Sequence, residues 1–121
     1  MKRAHHDLKA WQEGMNLVED VYRFTSTFPN EERFGLISQM RRSAVSVPSN
    51  IAEGAGRNGD KEFLNFLGIA RGSLSELETQ VQLSQRLGYV DVEPVSLNER
   101  LDNLFALIGG LMNSIRKRTG Q

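Results

Sequence analysis

Arg42, Ser46, Ser49, Glu53 and Arg57 follow one another at intervals of four, three, four and four residues. That spacing puts guanidinium, hydroxyl and carboxylate groups on one face of a helix. Arg57 stands four residues from Glu53, within side-chain pairing range, and Asn50 lies beside the row. A second polar row, Ser73, Glu76 and Gln80, shares a face further along the chain. Guanidinium and carboxylate groups meeting across two helices form bidentate, orientation-fixing pairs. The same groups also suit a ligand or an RNA phosphate. Carboxylates among the arginines favour internal pairing, so the expectation is a structural polar network that fixes helix register or a subunit contact.

Catalysis has little to draw on. The serines at 43, 46, 49, 73 and 75 have no histidine nearby in sequence to act as their base, because the only histidines are His5 and His6. Two adjacent histidines cannot supply the paired Glu-x-x-His motifs of a dinuclear helical metal site. A metal contact at His5, His6 and Asp7 is less favoured than a solvated N-terminal segment, since adjacent residues rarely converge on one ion. Gly54-x-Gly56-x-x-Gly59 matches a dinucleotide-binding spacing, but it follows a helix and not a strand, so it reads as a helix end and turn. No catalytic residue, metal ligand or cofactor is expected.

The chain has 121 residues, enough for one domain (1–121) with a core of its own. It has no cysteine, which removes disulfides, thiol catalysis and Cys-ligated metals. The N-terminal MKRAHHDLKAWQ is followed by no long apolar run, and the apolar stretch near Leu104–Leu111 is too short for a bilayer. A soluble cytoplasmic protein without membrane contact is expected. Lys plus Arg and Asp plus Glu are equal at 15 each, which argues against a coat protein for nucleic acid unless the charges are segregated.

Apolar residues recur at three and four throughout, and no segment alternates as a strand does. The expected fold is all-α: an up-down-up-down antiparallel four-helix bundle, its turns short, with the second helix kinked at Pro48. The first helix is expected from Leu8 to Phe28, capped by Asp7. It carries two stripes, Leu8, Trp11, Met15, Val18, Tyr22 and Leu17, Val21, Phe24, Phe28, which is wider than one core face needs. The second is expected after an Asn30 cap, with Leu36, Met40, Ala44, Val47, Ile51 and Ala55 inward and the glycines from Gly54 onward ending it. The third opens at Asp60 and stops at Gly88, with Gly68, Gly72 and Ser75 leaving room for a neighbour. The fourth opens on the capping box Ser96–Glu99 and presents Leu97, Leu101, Leu104, Ile108, Leu111 and Ile115.

With these helices placed, the chain resembles the four-helix-bundle proteins encoded within intervening sequences of bacterial 23S ribosomal RNA genes. The matching residues are Trp11-Gln12 and Tyr22, then Phe34-Gly35-Leu36, Gln39 and Arg41-Arg42. They continue through Ser46-Val47-Pro48-Ser49-Asn50-Ile51-Ala52-Glu53-Gly54, Arg57, Phe63-Leu64, Ala70, Gly72-Ser73-Leu74 and Glu76-Leu77-Glu78-Thr79-Gln80. The resemblance spans nearly the whole chain and fades after Gly88. It implies a ring-like homopentamer, and a relation to the accessory proteins of diversity-generating retroelements, bundles that bind a reverse transcriptase and nucleic acid. It attaches no enzymatic activity.

In such a bundle the N-terminus, the turn between the second and third helices and the C-terminus share one end. Lys2, Arg3, Arg57, Lys61, Arg116, Lys117 and Arg118 are expected there, facing RNA or DNA phosphates, with Asp60 and Glu62 weakening the field. Glu31, Glu32, Asp91, Glu93 and Glu99 gather at the other end, diluted by Arg33 and Arg86. No aromatic row accompanies the basic residues, so binding indifferent to base sequence is expected. The leading expectation is a non-enzymatic oligomeric scaffold that meets nucleic acid or a nucleic-acid enzyme. The alternative is a small-ligand or cryptic catalytic bundle built on Arg42, Asn50, Glu53 and Glu76. A closed Arg–Glu network would favour the first, an open cleft with an unpaired carboxylate the second.

Overall fold

The structure, a computed structural model, describes residues 1–120. It is an all-α four-helix bundle made of α1 (Lys9–Thr25), α2 (Leu36–Ala55), α3 (Asp60–Arg86) and α4 (Val95–Thr119), with 3-10 turns at Ala4–Asp7 and Asn30–Glu32. Each helix packs on two neighbours: α2 on α1 and α3, α4 on α3 and α1. Arg41 near the start of α2 reaches Thr25 at the end of α1, and Ser46 meets Ser73 while Gly54 lies against Phe63 and Phe66. Arg118 at the end of α4 holds Asp60 at the start of α3, and Arg100 near the start of α4 bridges to Asp20 in the second half of α1. Successive helices therefore run antiparallel, and the last closes against the first.

The core follows the 3.6-residue period. Leu17, Val21, Met40, Ala44, Val47, Ile51, Leu67, Ala70, Leu74, Leu77, Val81, Leu104, Ile108 and Ile115 are all sealed from solvent. On α1 the Leu17–Val21 stripe enters the core, whereas Met15 and Tyr22 of the other stripe stay exposed and Trp11 and Val18 are half-buried. On α4 the inward position is shared by a half-buried Leu111 and a buried Met112, because one step of three in that stretch drifts off the face.

Several helix ends differ from the sequence expectation. α1 stops at Thr25, whose hydroxyl bonds back to the Val21 carbonyl, and Phe28 is buried beyond the helix, its ring 5.4 Å from that of Tyr89. Asn30 opens only the short 3-10 turn, and α2 begins at Leu36. Glu32 takes the capping role, accepting a hydrogen bond from the Leu36 N–H at 3.1 Å. Asp7 lies in the first 3-10 turn and Leu8 holds the N-cap position of α1 without a side-chain bond. The Ser96–Glu99 box does not form, because the N-cap position falls two residues earlier, on Pro94.

Two further differences concern small residues. Gly54 does not end α2 but lies inside it, where an added Cβ would stand 2.8 Å from the Phe66 Cβ. Gly68 and Gly72, expected to admit a neighbouring helix, face open space within the chain. Gly88 does end α3. At φ 79° it lets its own N–H reach the Gln85 carbonyl and the Tyr89 N–H reach that of Ser84, the paired bonds of a left-handed helix stop. α2 runs on through Pro48, which has no N–H to offer the Ala44 carbonyl.

Candidate ligand groove and basic end

The polar rows of α2 and α3 meet, but they do not close on each other. Ser46 and Ser73 share a hydrogen bond at 2.8 Å, and Asn50 Nδ2 donates to the Ser46 carbonyl at 2.8 Å and its hydroxyl at 2.9 Å. This triad ties the middle of the two helices. The cross-helix Arg–Glu pairing does not form: Arg42 and Glu76 are both exposed, and neither makes an ion pair among the described residues. Glu53 instead pairs with Arg57, just past the end of α2, at 3.0 Å, and Ser49 turns to the α1 side of α2.

What lies between the rows is an open groove of about 370 Å³ lined by Gln39, Arg42, Ser43, Ser46, Ser73, Glu76 and Gln80. All seven lining side chains are polar, where two packed helices would ordinarily put Leu and Ala. Ser43, Ser73 and Gln80 are buried, at 8%, 7% and 9% exposure. Gln80 Oε1 is sealed from solvent and has no hydrogen-bond partner. Native interiors rarely leave such a group unmet.

The basic end divides into committed and free charges. Arg118 holds Asp60 through two bonds at 2.7 and 3.0 Å, and that guanidinium keeps the Asp60 carboxyl below its ordinary range. Lys2 pairs with Asp7 at 2.9 Å. Arg57 pairs with Glu53, stands 3.8 Å from Glu62 and lies over the Phe66 ring. Arg3, Lys61, Arg116 and Lys117 have no carboxylate within ion-pair reach among the described residues. Lys61 and Arg116 line a shallow depression of about 680 Å³ together with Glu62, Leu64 and Asn65.

Three arrangements escaped the sequence reading. Arg100 of α4 bridges Glu13 and Asp20 of α1, and Asp20 also takes a bond from Arg23 at 2.6 Å. Glu13 and Asp20 stand seven residues apart on one face, a spacing that would have signalled a shared partner. Arg41 donates to the Thr25 hydroxyl and the Tyr22 carbonyl while its guanidinium lies 4.3 Å from the Tyr22 ring centre. Tyr89 donates its hydroxyl to Glu32 at 2.6 Å; that bond raises the phenol and, with the Leu36 N–H, lowers the Glu32 carboxyl.

Alongside the polar groove, α1 and α2 leave an apolar one of about 440 Å³ lined by Trp11, Met15, Val18, Glu19, Val45, Pro48, Ser49 and Ala52. No group of His, Asp or Glu able to hold a metal exists among the described residues, and none of the described helices is long and apolar enough to cross a membrane.

A family model described as 23S rRNA-intervening sequence protein matches residues 6–110. The fold resembles the crystal structure of a protein of unknown function from the S23 ribosomal protein family of Bacteroides thetaiotaomicron. The TM-score is 0.75 at 24% identity, covering 86% of this chain and 95% of that one. No curated protein matches the chain closely enough to count as a relative.

Proposed function

Since the chain belongs to the 23S rRNA-intervening sequence protein family, we propose that it is a non-enzymatic, oligomeric helical scaffold of the cytoplasm whose basic end rests on RNA or DNA phosphates. The observation that carries this reading is the set of cations without an ion-pair partner among the described residues, Arg3, Lys61, Arg116 and Lys117, at one end of the bundle. Lys2, Arg57 and Arg118 are occupied by carboxylates and contribute less. The acids between them lower the potential, so contact is weak, salt-dependent and blind to base sequence. Self-association is supported by the apolar groove between α1 and α2, whose Met15 and Val45 are 45% and 41% exposed, with Tyr22 exposed further along α1. A ring of five, and a nucleic-acid enzyme as partner, are what the resemblance adds. In a parallel ring the basic ends would face one way and their fields would add.

The test is retention of single-stranded RNA across a salt series. Changing Lys61, Arg116 and Lys117 to Ser is expected to reduce the slope of log affinity against log salt by about 2, from about 0.7 per phosphate contact. An unchanged slope would remove the basic end from the function. Light scattering that gives a monomer at micromolar concentration would remove the oligomer.

A further inference from the structure

The α2–α3 groove has no part in that scaffold, and it is built unlike a helix seam. We infer that it binds a small zwitterion of the free amino acid class, its carboxylate against α2 and its ammonium against α3.

The two walls differ in charge. On α2, Arg42 offers guanidinium N–H donors, and Gln39 three residues away adds an amide that can donate or accept. On α3, Glu76 and Gln80 stand four residues apart on one face and offer a carboxylate and an amide oxygen. The Ser46–Ser73 bond sets the antiparallel register, which brings Arg42 level with Glu76 and Gln39 level with Gln80. Opposite charges thus face each other across the groove and are not joined by an ion pair. A ligand with an anion at one end and a cation at the other satisfies both rims.

Gln80 adds a second polar group to the α3 wall. Its side chain is nine-tenths buried, and its Oε1 lacks a donor. An ammonium carries three N–H groups and can serve Glu76 and Gln80 together. Oε1 is sealed from solvent, so the amide adds to binding only when it turns toward the groove, and the opposed Arg42 and Glu76 charges carry the recognition. The groove's volume of about 370 Å³ falls at the small end of ligand sites.

Nitrogen-15 NMR titration of the whole chain tests this, with each of the twenty free L-amino acids added singly to about 10 mM, a millimolar Kd being within reach of a few charge-assisted bonds. At least one is expected to shift the amide signals of residues 39–46 and 73–80. Its N-acetyl methylamide, which has neither charge, is expected not to. Arg42→Gln and Glu76→Gln remove exposed charges without opening the core, and each is expected to weaken binding by about tenfold or more. Absence of shifts with all twenty, or shifts that survive both substitutions, overturns the proposal. So do shifts that follow protein concentration and not added amino acid, which would give the groove to a second copy.

Discussion

Arg100 does at the residue scale what the polar row of α2 was expected to do. It reaches from α4 to Glu13 and Asp20 of α1, with the three side chains only 28%, 17% and 20% exposed. Replacing it by Met leaves Glu13 without a cation and Asp20 with only the exposed Arg23. Denaturant unfolding is expected to show a loss of about 1–3 kcal/mol, between the values for exposed and fully buried pairs. Glu32 and Tyr89 make a second residue-scale prediction. The folded Glu32 carboxyl titrates below its ordinary 4.5, so as pH falls the unfolded chain takes up the proton first. The stability from this bond is present above about pH 4.5 and is lost as pH falls through the folded value. Tyr89→Phe is expected to shrink the difference between unfolding midpoints at pH 6 and pH 3, and carboxyl NMR is expected to show Glu32 returning toward its ordinary value. A midpoint difference unaltered by the substitution would mean that the hydroxyl contributes nothing to acid sensitivity.

The two glycine classes separate at the element scale. Gly54 lies where α2 crosses α3, and a methyl there would meet the Phe66 Cβ at 2.8 Å and the Phe63 Cδ1 at 2.9 Å. The Phe66 atom is next to its backbone and cannot swing aside. Gly54→Ala is expected to lower stability by about 1–3 kcal/mol despite alanine's better helix propensity, because the helices must part. Gly72 is exposed in the middle of α3 with open space around it. Gly72→Ala is expected to raise stability by up to about 1 kcal/mol. Urea midpoints of the pair decide it: equal signs for both changes would refute the packing account. Neither role was legible in the sequence, where Gly54 looked like a stop and Gly72 like a contact. The helices themselves were legible, because a stripe such as Leu67, Ala70, Leu74, Leu77 and Val81 has one reading at a period of 3.6. Their ends were less so. Asn30 and Ser96 have the right side chains for caps, but Glu32 and Pro94 decide the starts through contacts and backbone limits that a one-dimensional pattern does not encode.

Across the whole molecule, equal numbers of positive and negative side chains conceal an uneven distribution of free ones. At the end bearing the α2–α3 turn, carboxylates occupy Lys2, Arg57 and Arg118, and among the described residues none pairs with Arg3, Lys61, Arg116 or Lys117. The sequence placed these charges at one end through topology alone. It could not say which were neutralised, since Arg118 and Asp60 are 58 positions apart. The polar rows met the same limit. Their residues were identifiable from spacing, but whether Arg42 and Glu76 would pair or stand apart depends on the distance between helix axes, which no periodicity reports. That gap makes the groove, and the apolar surface beside it leaves the bundle with two unlike faces on either side of α2.

The Arg100 bridge also has a kinetic side. Three of the four helix seams join neighbours in the chain, whereas the seam between α1 and α4 links residues 80 and 87 positions apart. Closing so long a loop carries the largest entropy cost, so this seam is expected to form after the folding barrier has been crossed. In stopped-flow measurements the Arg100→Met chain should then refold at nearly the native rate and unfold faster. The bridge that joins the first helix to the last would set how long the bundle stays shut, and hardly at all how quickly it is made.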